Sequence, residues 1–447
     1  MKKILLLFVA IMMASTTMWA DRQKVSYRRP IYITEDNPAS GIKEWKTEEI
    51  DATILTGNFE RKTLTSGWYV IIGNDVKCVG GIICQGDVHL ILADDATLMA
   101  MGDENSAGIQ VSGEGNSLTI YGQDKQTGLL IATGEANAAG IGGGSGGNGS
   151  NITINGGIVM TNGGNLAAGI GGGKAGSGSN IIINGGTIMA NGGNKAAGIG
   201  GGYYWPGSNI IINGGTITAN GGSGASGIGG GEGGSSLNIF VATDLIIKAD
   251  GNNPPETGIT NTGDDLAGSL AGQRYVNIEI DLNVLKNKAI GEINKAIDGV
   301  TDEDVRAIAD KAITDISNAT SEEDINSIKT QALKDIAFAI SKIDAIAEIT
   351  SASQGIKNAE LNAWIDAAIA DIKKGRQDAT PTIDDIMDQI LYMINLFQDG
   401  KAEGKADLLG SMATEQDGPA VEVIKGEKKV ILYSPDKVNF IKVETEN

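Results

Sequence analysis

From Ala138 to Asn238 short apolar runs alternate with glycine and asparagine, and they do so periodically. The unit reads Ala-Ala-Gly-Ile-Gly-Gly-Gly, a glycine/serine loop, then Asn-Ile-x-Ile-Asn-Gly-Gly. It begins at Ala138, Ala167, Ala196 and Ala225, each start 29 residues after the last. A fixed period of this size marks a solenoid in which every repeat is one supersecondary unit. Asn180-Ile181-Ile182-Ile183-Asn184 and Gly186-Thr187-Ile188-Met189-Ala190 are too short for a helical stripe and are bounded by turn residues, so they predict strands. Three strands per unit follow: Ile181–Ile183, Thr187–Ala190 and a short one at Ile199. Because strand side chains alternate between faces, stacking the units aligns four inward ladders. These are Ile152/Ile181/Ile210, Ile154/Ile183/Ile212, Val159/Ile188/Ile217 and Ile141/Ile170/Ile199/Ile228. Asn155/Asn184/Asn213 fall at corners, where asparagine tolerates left-handed backbone and its amide can bond neighbouring coils.

The alternation extends in both directions with less regularity. Between Leu64 and Glu135, strands such as Gly67–Ile72, Asp87–Leu92, Ala107–Ile109 and Asn116–Gly122 lie between Gly, Asp and Asn turns. Residues 21–60, with Pro30, Pro38 and Trp45, are expected to cap the open end of the array. After Pro254-Pro255 the repeat decays, and Arg274–Ile280 reads as a closing strand. The period then changes to 3.6 residues, in Ile290, Ile293, Ile297, in Val305, Ile308, Ala312, Ile316, and in a stripe from Ile325 to Ile343. Thr301–Asp304 and Ser321–Asp324 predict N-caps, and later helices are expected at Asn358–Lys374 and Ile383–Phe397. The single-sided stripes predict antiparallel helix pairs packed on each other. A hairpin over Ala420–Tyr433 and a strand over Val438–Val443 end the pattern.

The architecture predicted is multidomain: a parallel β-helix of 29-residue coils, an α-helical bundle and a small C-terminal β segment. Its divisions are a signal peptide at 1–20, a cap at 21–60, the β-helix at 61–280, the bundle at 283–410 and a β appendage at 415–447. Leu64–Ile71, Asp87–Ala96, Gly115–Gly122 and the Ala-Ala-Gly-Ile-Gly-Gly-Gly units resemble bacterial secreted and surface proteins with right-handed β-helix repeats, many of them carbohydrate-binding or adhesin-like. The resemblance covers roughly residues 64–280, implies export and attachment, and transfers no catalytic residue. Ala289–Ile336 resembles the alanine-rich helical spacers called FIVAR repeats.

Charge and chemistry narrow the function. Lys2-Lys3, the apolar run Ile4–Met13 and Met18-Trp19-Ala20 form a secretory signal, and no stretch is long enough to span a bilayer. Neither a lipid-anchor cysteine nor a C-terminal apolar anchor is expected. The protein is therefore expected outside the cytoplasm: secreted or on the cell surface, with the periplasm open. The net charge of −20 disfavours nucleic acid and anionic glycans as partners. The four glycine loops imitate a phosphate-binding loop, but no Lys-Ser/Thr follows them. The single histidine, His89, alternates with strand residues and reads as outward-facing; no metal or cofactor is expected. Cys78 and Cys84 lie in a disulfide-permissive compartment, and the sequence leaves their pairing open.

β-Helix enzymes that degrade polysaccharides need clustered or paired carboxylates. Across residues 138–238 the charged residues are only Lys174, Lys195 and Glu232, and the pairs Asp94-Asp95 and Asp264-Asp265 sit in turns. The expected function is thus non-enzymatic binding, with a polysaccharide lyase or hydrolase and a purely structural spacer as the alternatives. The candidate site is Tyr203-Tyr204-Trp205, in a loop whose counterparts are Ser145-Gly-Gly, Lys174-Ala-Gly and Glu232-Gly-Gly. Aromatic faces stack on sugar rings, so the loop reads either as a glycan platform or as a packing surface. The partners in view are a glycan or a host or bacterial surface component.

Overall fold

The computed structural model describes residues 22–35, 37–104, 106–261, 263–375, 382–398, 420–425, 428–433 and 442–446. The expected signal at 1–20 lies outside the described residues. The chain divides into two compact units between Asp281 and Leu282.

The first unit is a parallel β-helix with three faces. The first face stacks Ser117–Gly122, Gly149–Ile154, Gly178–Ile183, Gly207–Ile212 and Ser236–Val241. The second stacks Thr97–Met101, Leu129–Thr133, Ile158–Asn162, Thr187–Asn191 and Thr216–Asn220. The third is two residues wide, from Ile109–Gln110 to Ile228–Gly229. Registers step by one repeat: Ile152↔Ile181, Ile181↔Ile210, Val159↔Ile188, Ile170↔Ile199. All four predicted inward ladders are buried in one continuous core. Two longer strands, Asn58–Ile71 and Val76–Leu92, build the first coils by bending around all three faces.

Both ends of the array depart from the repeat. At the far end Tyr275–Ile280 inserts antiparallel between Thr216–Asn220 and Leu245–Asp250, with Ile278 opposite both Ile217 and Ile247. Leu266 and the short helix Ala267–Leu270 fill the open core. The Asp265 carboxylate accepts from the backbone N–H of Asn238 and Ile239, satisfying the last strand of the first face.

The segment expected to cap the near end mostly lies along the coils. Arg22–Tyr32 and Ile42–Leu55 form an antiparallel arm, of which only Thr53–Leu55 continue the first face by pairing with Tyr69–Ile71. The arm is recruited because outward residues Val70, Ile91 and Tyr121 are apolar and aligned. Val25, Tyr27 and Ala52 bury against them.

The second unit holds five helices among its described residues: Leu282–Ala296, Glu303–Asn318, Glu322–Ala352, Ala359–Lys374 and Ile383–Gln398. In place of packed pairs there are two three-helix cores sharing one long helix. Ile293, Val305, Ile316, Ile325 and Ile336 form the first, and Ile349, Ile365, Ile372, Ile390 and Ile394 the second. Ser321 caps the long helix as expected, accepting from the Asp324 N–H. The preceding cap is Asp302, one residue beyond Thr301, because its carboxylate reaches both Asp304 and Val305 N–H groups. The C-terminal strands Ala420–Lys425, Lys428–Tyr433 and Lys442–Glu446 form an antiparallel sheet. The third strand thus lies later than the expected Val438–Val443, whose residues 438–441 are outside the described residues.

Candidate functional site

The loop that follows the third face is the same length in consecutive coils, since Gly171↔Gly200 and Gly178↔Gly207 both pair in register. Positions 145, 174, 203 and 232 therefore form one ladder of Ser, Lys, Tyr and Glu. Their backbone is fixed identically whatever the side chain. The N–H groups of Lys174, Tyr203 and Glu232 donate to the carbonyls of Asn137, Leu166 and Lys195 at 2.8, 3.1 and 3.0 Å. The glycines just before this ladder pack main chain on main chain: a Cβ on Gly202 would collide with the Gly173 carbonyl. The side chains of Tyr203, Tyr204 and Trp205 are consequently directed away from the coil interior.

Tyr204 is 62 % exposed and Trp205 42 % exposed. The Tyr203 and Tyr204 rings lie 3.9 Å apart between centroids, inclined by 37°, and Tyr204 extends over Gly233, whose added Cβ would meet its ring at 2.5 Å. Tyr204 holds φ +65°, in the left-handed region, and Gly146, Ala175 and Gly233 hold the equivalent position with positive φ in the other coils. A bulky side chain there is strained by about 1–2 kcal/mol. Lys195 Nζ stands 5.0 Å from the Tyr203 ring centroid and 2.9 Å from Glu232. The carboxylate holds the Lys195 ammonium above its ordinary value, and the hydrogen bond with Tyr204 raises the Tyr203 phenol. The three predicted residues are thus together, joined by Lys174, Lys195 and Glu232. Sequence reasoning weighed those three only as too few for catalysis. The signal that unites them is the 29-residue register.

Three asparagine ladders brace the coils. Asn184 Nδ2 donates to Asn155 Oδ1 and Asn213 Nδ2 to Asn184 Oδ1, each at 2.8 Å. A second ladder runs through Asn151, Asn180, Asn209 and Asn238, and it is this one that adopts left-handed backbone. The third joins Asn162, Asn191 and Asn220. The arm binds the first of them: Tyr32 Oη accepts from Asn184 at 2.9 Å, and the Pro38 carbonyl accepts from Asn213 at 3.0 Å.

His89 faces outward, as its alternation predicts. Its ring stacks on Trp68 at 4.2 Å, with Nδ1 3.0 Å from Tyr121 Oη and Nε2 3.0 Å from Asp87. Tyr27 of the arm completes this aromatic cluster, 4.9 Å from Tyr121, and burial raises the Tyr121 phenol. The arm is also tied by an ionic knot, in which Glu48 accepts from Arg29 and Tyr27 and pairs with Lys46. Chiefly through Arg29, these contacts hold the Glu48 carboxyl down to about 2.

Cys78 and Cys84 are both free and buried, so the disulfide left open by the sequence does not form here. They flank the Gly80-Gly81 corner, where both glycines have positive φ. Cys78 pairs with Phe59 and Cys84 with Leu64 on different faces, whereas a disulfide needs Cα atoms within about 4.4–6.8 Å. Burial pushes their thiols up to about 11 and about 12, the unreactive protonated state. Asp94 and Asp95 hold the neighbouring turn, Asp94 accepting from the Lys125 N–H and Asp95 pairing with Lys125. Among the described residues no group of three or more His, Cys, Asp or Glu side chains is placed to hold a metal ion, and no helix is long and apolar enough to cross a membrane.

Comparison with known proteins points the same way for the fold. A family model described as a beta helix repeat matches residues 152–174, 181–203 and 210–232. These segments are successive copies of the 29-residue unit, and the second ends on Tyr203. No curated protein and no solved structure matches the chain.

Proposed function

We propose that this β-helix repeat protein is an exported, non-enzymatic binding protein whose aromatic loop attaches it to glycan. The observation that carries the reading is Tyr204, a large side chain kept in a left-handed backbone position that Gly146, Ala175 and Gly233, with a small side chain or none, fill in the other coils. Strain of this kind persists where a side chain is wanted for use. Its exposure, with that of Trp205, leaves apolar ring faces open to solvent, and sugar rings present complementary apolar faces. The repeat array serves as the rigid mount. The helical unit, with its 31-residue shared helix of about 45 Å, serves as a spacer.

The test exchanges Tyr203-Tyr204-Trp205 for Ser-Gly-Gly, the sequence of the coil at 145–147. Nucleobase stacking on protein aromatics is worth ~1–3 kcal/mol per ring and sugar stacking is of similar or smaller order, so with both exposed rings lost binding on a glycan array should fall below detection, with the melting temperature unchanged or raised. Retained glycan binding, or loss of stability on exchange, would count against the platform. Release of reducing ends or unsaturated products from polysaccharide by the wild-type protein would instead favour an enzyme.

A further inference from the structure

Between Ala138 and Asn238 the chain has three aromatic residues and three charged ones, and all six meet at one corner. Lys195 and Glu232 neutralise each other at 2.9 Å. Lys174 is exposed and forms no ion pair among the described residues. It occupies the rung next to Tyr203, one coil spacing away, about 4.8 Å in a parallel ladder. By register Glu135 lies two residues before the Asn137 carbonyl that holds the Lys174 N–H, and Glu114 lies in the equivalent loop of the coil before Ser145. No ion pair joins Glu135 to Lys174 among the described residues. The corner therefore carries one uncompensated positive charge on a chain whose net charge is −20, set beside an exposed aromatic platform.

Resting on the glycan reading above, we infer that the preferred ligand is an acidic sugar, with its ring on Tyr204 and Trp205 and its carboxylate at Lys174. The acidity of the whole chain disfavours polyanions at long range. Over a single rung, however, a local cation outweighs it, because charges beyond about 8–10 Å are screened at moderate salt. The pairing of Lys195 with Glu232 matters for the same reason: it removes the one carboxylate that would repel the ligand at the platform.

The experiment uses the chain from residue 21 onward and a panel of galacturonate, glucuronate and sialic acid oligosaccharides, each alongside its methyl ester. Titration calorimetry at low salt should show at least one acid bound about tenfold more tightly than its ester. Lys174→Gln should abolish that preference while leaving ester affinity unchanged, and 1 M NaCl should do the same to the wild type. Trp205→Ala should weaken acid and ester alike. An acid preference that survives Lys174→Gln, or equal affinity for every acid and its ester, overturns the acidic-sugar assignment and leaves the platform standing. Absence of binding to the whole panel and to neutral oligosaccharides, or binding indifferent to Trp205→Ala, overturns the platform reading itself, and the acidic-sugar assignment with it.

Discussion

Two corners of the same coil obey opposite rules. At the corner between the first and second faces, Asn155, Asn184 and Asn213 recur unchanged, bonded amide to amide and covered by the arm. After the third face, the equivalent positions read Ser145, Lys174, Tyr203 and Glu232, with no residue repeated. In the first case the side chains add their own coil-to-coil bonds to the backbone bonds that the Asn155, Asn184 and Asn213 N–H groups already make, so another residue leaves buried amides unpaired. In the second case the backbone carries them, and the same N–H to carbonyl bond forms in three coils with three different side chains. A position whose side chain carries none of the coil-to-coil bonds is free to vary, and variation there is where recognition can arise.

Substitutions can push on this contrast from both sides. Ile183→Asp places an unpaired charge in a wholly buried ladder position and should destabilise the array by more than about 4 kcal/mol. Circular dichroism on heating should then show little or no cooperative strand transition. A wild-type melt would mean that Ile183 does not face the core. Asn184→Ala removes one amide that donates to Asn155 and Tyr32 and accepts from Asn213. The loss should be about 2–4 kcal/mol, with faster amide exchange across Arg22–Tyr32 as the arm loosens. If exchange in the arm stays at wild-type rates, the asparagine corner does not hold it. Tyr204→Gly should move stability the other way, by about +1 kcal/mol, because it relieves the left-handed strain. A lower urea midpoint for that variant would show that the ring packs for stability, and the two corners would then differ less than their sequences do.

Much of this was readable from the repeat. Once the 29-residue period is seen, alternation fixes which isoleucines face inward, and the structure buries all of them. The site residues were visible as an anomaly of composition, three rings in a loop of glycines. What escaped was whatever depends on contact between distant segments. Nothing in residues 22–55 announces that Val25 and Tyr27 lie on Val70, Ile91 and Tyr121, since an apolar strand suits an end or a side equally well. The left-handed asparagines form a different ladder from Asn155, Asn184 and Asn213 for a related reason. Asn155 and Asn180 both stand beside strand residues, and only the backbone path shows which of them turns. The helical stripes predicted packing but not that one helix of 31 residues would serve two cores.

The antiparallel strand Tyr275–Ile280 has a consequence for how such a chain can change over generations. It stops the stack by direction, since a parallel coil cannot continue across it, and it pairs only with the last rung, Thr216–Asn220, and with Leu245–Asp250. The 29-residue coils before that rung, from Gly149 to Asn220, share one pitch. Recombination between near-identical 29-residue segments can therefore add or delete a whole coil with the closing strand intact, while the arm, which meets Asn184 through Tyr32 and Asn213 through the Pro38 carbonyl, must re-register on the stack. A coil inserted between the aromatic corner and the last rung would move that corner by about 4.8 Å relative to the closing strand. Copy number would thus act as a ruler for reach, adjustable in single steps while the coil-to-coil contacts keep their geometry.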